Sequence, residues 1–163
     1  MSPRRMTAVA LVAVFAPLAG SAPLSSAAPY GAGSPPAFSP VVEVLSRGTV
    51  AEPFKAEAHG IKLEADRPID VAVAHFTFAP GSSTGWHKHP GPTVVTVTTG
   101  QLTVTSRRCV RHTYTAGETF VEGPRRHLAV NTSTGTTESI VTFFVPTGSD
   151  ALTIPSRVPR CAR

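Results

Sequence analysis

The chain has 163 residues, of which 41% are apolar, 15% charged and 7% aromatic, and its formal charge at pH 7 is +5. That length suits one domain with appendages and excludes a barrel of eight strand–helix units, which needs roughly 250 residues. Two Cys exclude a disulfide-dense miniprotein or a four-thiolate cluster, and no apolar run reaches the ~18 residues of a membrane span.

Residues 1–28 read as a signal peptide. Arg4 and Arg5 give a positive start, Thr7–Gly20 follows without a charge, and Ser25-Ser26-Ala27-Ala28 supplies small residues for cleavage, preferably after Ala27. The Arg pair leaves twin-Arg and ordinary secretion both open. The expected location is therefore secreted or extracytoplasmic. Two of the 15 Lys and Arg leave with the leader, so the mature excess over 10 acids is three. No basic helix or basic-aromatic module accompanies that excess, which argues against nucleic acid as a partner.

Residues 29–40 form a Pro/Gly-rich linker. From Val41 the chain turns to short apolar or alternating runs: VVEVL, GIKLEA, IDVAVAHFTF, PTVVTVTT, QLTVT, HTYTA, ETFV, HLAVN and SIVTFFV. Gly, Pro or Ser separates most of them at intervals of roughly 8–12 residues, which predicts an all-β sandwich or barrel over 41–147. Phe76, Phe78, Phe143 and Phe144 read as core between the sheets. Residues 148–163 read as a solvated tail, tethered if Cys161 pairs with Cys109. Export makes that disulfide available; two free thiols are the alternative. The acids are uneven: six lie between Glu43 and Asp70, and none between Val71 and Gly117, where Lys88, Arg107, Arg108 and Arg111 stand.

His87 and His89 are two apart in GWHKHPGP. On a strand, positions i and i+2 share a face, so both imidazoles point to one place while Lys88 points away. Neutral imidazole ligates zinc, iron, copper and nickel, although an exposed or hydrogen-bonded pair would look the same. His75 reads as a hydrogen-bonded wall residue, and His59 and His112 as exposed. Trp86 and Tyr114 default to packing. The sequon Asn131-Thr132-Ser133 is discounted because its position suggests burial. No nucleophile elbow, phosphate loop or dinucleotide-binding glycine pattern is present.

The surroundings of the pair read Gly81-x5-His87-x-His89-x3-Thr93-x6-Gly100, and Gly117 then opens GETFVEGPRRHLAVN, where His127 precedes Asn131 by four. This two-part pattern resembles the cupin family, whose first motif is Gly-x5-His-x-His followed by Glu and Gly and whose second ends in His-x3-Asn. The resemblance spans about Val71 to Pro146. It implies a single jelly-roll β-barrel of two antiparallel sheets, with His87, His89 and His127 around one divalent transition metal (Fe, Zn, Mn, Ni or Cu). It also implies a small-molecule ligand or substrate and leaves a homodimer open. Cupins host many chemistries, so the motifs do not choose among a dioxygenase-like reaction, Lewis-acid chemistry and non-catalytic binding. The family's Glu falls on Thr93 here, so a fourth ligand is missing. Glu118 and Glu122 read as turn caps rather than replacements. Arg125 and Arg126, just before His127, would add positive charge at the mouth and favour an anionic ligand.

Overall fold

The computed structural model of the protein describes residues 39–163; the leader and nearly all of the linker lie outside the described residues. Twelve strands follow in chain order: β1 (Val41–Val50), β2 (Phe54–Ala58), β3 (Ile61–Ala65), β4 (Ile69–Phe78), β5 (His87–Lys88) and β6 (Thr93–Thr99), then β7 (Gln101–Ser106), β8 (Arg111–Thr115), β9 (Thr119–Glu122), β10 (His127–Val130), β11 (Thr137–Pro146) and β12 (Ile154–Pro155). A 3-10 turn, Arg160–Ala162, closes the chain. Every run read as a strand is one. One five-stranded sheet has the order β1-β4-β11-β6-β9 and a second has β12-β5-β10-β7-β8, while β2 and β3 form a separate hairpin. All pairings are antiparallel. The all-β jelly-roll barrel is thus the observed architecture.

Alternation decides which residues enter the barrel. Along β11, Thr137, Ser139, Val141, Phe143 and Val145 are buried and the residues between them are not. Phe78 and Phe143 therefore belong to the core cluster with Val95, Val97 and Leu102, and Phe76 packs against it. Phe144 was expected there too, but it follows Phe143 by one and faces the other side of the sheet. Each large apolar side chain buried in this way contributes about 1.5–3 kcal/mol.

The registers arrange the inner face of the first sheet in rows. Ala72, Phe143, Thr93 and Glu122 stand side by side across β4, β11, β6 and β9. The row two residues along holds Ala74, Val141, Val95 and Phe120, and the next holds Phe76, Ser139 and Val97. Of the small residues in these rows, Ala72 and Ala74 pack in the core cluster, and Ser139 lines the space inside the barrel.

The residues read as a solvated tail join the second sheet. Ile154 and Pro155 pair with Lys88 and His87, and Ser156 N–H donates to the Trp86 carbonyl at 2.8 Å. A disulfide joins Cys109 to Cys161. The corner after His89 needs Gly91: a Cβ there would lie 1.9 Å from the Phe144 carbonyl oxygen. Only glycine lets this loop run against β11, where Phe144 N–H donates to the Pro92 carbonyl at 3.0 Å.

Candidate metal centre

Two ladder pairs, one from each sheet, build the site. In the second sheet His87 on β5 stands directly opposite His127 on β10. In the first, Thr93 on β6 stands opposite Glu122 on β9. His89 completes the group from the end of β5, and its neighbour Lys88 is exposed, as the alternation predicts. One potential ligand atom from each of His87, His89, Glu122 and His127 lies within 4.8 Å of all the others. The ring centroids of His87 are 4.2 Å from those of His127 and 4.9 Å from those of His89.

The backbone fixes all three rings. Nδ1 of His87 faces the Gly85 carbonyl at 3.0 Å, Nδ1 of His89 the Leu152 carbonyl at 2.8 Å, and Nδ1 of His127 the Arg125 carbonyl at 2.9 Å. A carbonyl only accepts, so each Nδ1 carries its proton. The Nε2 atoms are thereby left for the interior, the arrangement that orients metal-binding imidazoles. Glu122 meets two of them, with Oε2 3.0 Å from His89 Nε2 and Oε1 3.2 Å from His127 Nε2.

Burial and charge then divide the four groups. Burial pushes the His87 imidazole down to about 4, keeping it neutral. Burial alone would raise Glu122, but its contacts with His127 and His89 outweigh this and hold its carboxyl at about 2. Burial opposes a charge on His127 as well, yet the adjacent carboxylate raises its proton affinity. His127 Nε2 is close to that carboxylate but off the line of a hydrogen bond, so this buried nitrogen has no partner. An orphaned nitrogen beside an ionised carboxylate and a neutral imidazole is a donor set that fits a divalent cation.

The family model described as "Cupin domain" matches residues 74–143. Over those residues the barrel is similar to a cupin domain. Among solved structures, a conserved protein with a double-stranded beta-helix domain from Klebsiella pneumoniae is 15% identical, with 77% of this chain and 92% of that chain covered at a TM-score of 0.52. A cupin domain from Bordetella pertussis is 20% identical over 65% of this chain and 93% of its own, at 0.46. A polyketide cyclase from Streptomyces resistomycificus is 16% identical over 55% and 63%, also at 0.46. No curated protein matches the chain.

In this barrel the carboxylate of the cluster comes from the second of the two sequence motifs, at Glu122. Glu118 is a turn cap, as expected, accepting from Thr115 N–H at 2.6 Å and from its hydroxyl at 3.0 Å. Glu122 is not: it lies inside the barrel. A sequence signal pointed there, because Glu122 shares a face with the buried Phe120, while Val121 between them is 72% exposed. Asn131 is fully buried, its amide donating to the carbonyls of Phe78 and Gly135. His75 lies on the outer face, 3.8 Å from Glu138. His59 and His112 are exposed.

A cavity of about 250 Å³ adjoins the cluster. His87, His89 and Glu122 line one end, and Phe76, Phe78, Phe120 and Phe143 furnish much of the wall. The Phe143 ring meets that of His89 edge-on at 5.4 Å. No Lys or Arg lines it. Arg125 and Arg126 line a separate concavity that abuts the cluster from its other side, with Glu122 and His127 in its wall. Ser139 also lines the cavity, and its buried hydroxyl has no hydrogen-bond partner. It is four residues from Phe143, roughly 13 Å along β11.

Proposed function

We propose that this is a metal-dependent cupin that acts on a small, largely apolar molecule held in the barrel. Nε2 of His87, His89 and His127 and one oxygen of Glu122 would hold one divalent transition metal. The observation that carries this reading is the three rings anchored by backbone carbonyls, clustered with the Glu122 carboxylate, which meets the Nε2 atoms of His89 and His127. When bound, such a metal supplies Lewis acidity and, for iron, manganese or copper, redox chemistry toward dioxygen. The chain's own residues shape the rest. Phe143 packs beside His89, the aromatic wall excludes water, and Ser139 offers the buried end of the cavity one hydroxyl. With no Arg or Lys in the lining, an anionic ligand finds no cationic side chain there. A neutral or weakly acidic donor atom on an apolar body fits better.

Export belongs to the same proposal. The leader read over residues 1–28 supports it, and the disulfide is compatible with it.

The test is the metal content of the purified protein, beside a His87→Ala/His89→Ala/His127→Ala variant and Glu122→Gln. The expected result is one equivalent in the wild type, none in the triple variant, and affinity lowered by at least roughly tenfold in Glu122→Gln. A wild type that takes up no metal after reconstitution would overturn the reading. Metal with tight ligand binding but no turnover would instead favour a binding protein.

A further inference from the structure

Seven of the arginines gather on one side of the molecule. Arg107, Arg126, Arg157, Arg160 and Arg163 line a concavity of about 400 Å³. Arg107, Arg108, Arg125 and Arg126 line an adjoining one of about 280 Å³. The two share Arg107 and Arg126, so they form one continuous groove. None of these arginines has a carboxylate partner among the described residues, where the paired ones are Arg47 and Arg67. Residues 1–38 contain no Asp or Glu at all. The one acid in the lining is Glu122, whose oxygens are engaged by His89 and His127.

The fold holds this arrangement together against its own repulsion. The disulfide fixes Cys161, between Ala162 and Arg160, to the turn that follows Arg107 and Arg108. The Arg126 guanidinium donates to the Arg157 carbonyl at 3.1 Å. Like charges crowded on a covalently closed frame create a strong positive potential. Guanidinium groups match the oxygens of phosphate and sulfate, two donors at a time. Nothing in the groove suits a base: Tyr114 lies stacked on Phe120 at 4.0 Å, so its ring is already engaged.

We propose that this groove binds a polyanion whose charges are phosphate or sulfate groups without bases. One end of the groove is lined by Glu122 and His127 of the metal centre, so the groove variants change only arginines, none of which is a proposed metal ligand.

Binding of a short linear polyphosphate and of heparin, as phosphate and sulfate probes, is measured by calorimetry in low salt. Arg107→Gln/Arg160→Gln is compared with a charge-matched control, Lys55→Gln/Lys62→Gln, on the exposed β2–β3 hairpin. Arg108→Gln/Arg125→Gln serves as a second variant should the first fold poorly. The groove variants are expected to lose at least about tenfold in affinity, the control less than about twofold, and rising salt weakens wild-type binding steeply. Equal losses in control and groove variants would reduce the effect to net charge and overturn the proposal. So would no binding at low salt, or oligothymidylate of matched charge binding more tightly than polyphosphate.

Discussion

Asp70 shows how one residue ties the outer strands together. It is 6% exposed at the start of β4. Its carboxylate accepts from the Thr49 hydroxyl at 2.8 Å and from the Arg47 guanidinium at 2.7 Å. These bonds, Thr49 first and Arg47 next, hold its carboxyl below the usual carboxylate range. A carboxyl depressed in the folded state stabilises fully above its unfolded pKa of about 3.9 and stops doing so as pH falls through the folded value. Asp70→Asn should therefore lower the urea midpoint at pH 7 while the two proteins converge in strong acid. A constant gap between them from pH 7 to pH 2 would contradict this.

At the scale of elements, the last stretch of chain reaches further than its two-residue strand suggests. β12 pairs with β5, Leu152 supplies the carbonyl that orients His89, and Cys161 anchors the whole segment. Closing a loop with a sequence separation of 52 is worth about 4 kcal/mol in the chain-entropy model. Cys161→Ser should thus cost about that much stability. It should also weaken metal affinity by roughly tenfold, because His89 loses the carbonyl that fixes its tautomer. Chelator competition on the oxidised protein and on the variant measures the second effect. Unchanged affinity would mean that β12 holds Leu152 in place without the disulfide.

For the molecule as a whole, much was legible in the sequence. The β-branched and aromatic runs IDVAVAHFTF and SIVTFFV mark the two long strands that carry the first sheet, and His87-x-His89 places two rings on one face. His127 was reached through the family resemblance, since its partner in the ladder, His87, is forty residues away. β12 was illegible because two residues, Ile154 and Pro155, carry no period. β1 was legible as a strand but not as an edge: Val41, Val42, Val44 and Leu45 are apolar yet exposed. Glu122 reads as a turn cap because Gly123-Pro124 follows it, whereas it is the last residue of β9 and shares the inward face of Phe120.

That displacement has a consequence for how the site is encoded. Thr93 and Glu122 face each other across one rung, so to the interior they are two doors onto the same room. A carboxylate can enter by either, and a family signature written along one strand records only the first. Exchanging the two residues, Thr93→Glu with Glu122→Thr, should therefore keep metal bound, whereas Glu122→Thr alone should lose it. Metal analysis of the pair distinguishes the outcomes. If the exchange fails while the protein still folds, the address of the carboxylate is tied to β9 itself. If it succeeds, the inheritance of such a centre is better traced through spatial neighbours than through aligned columns.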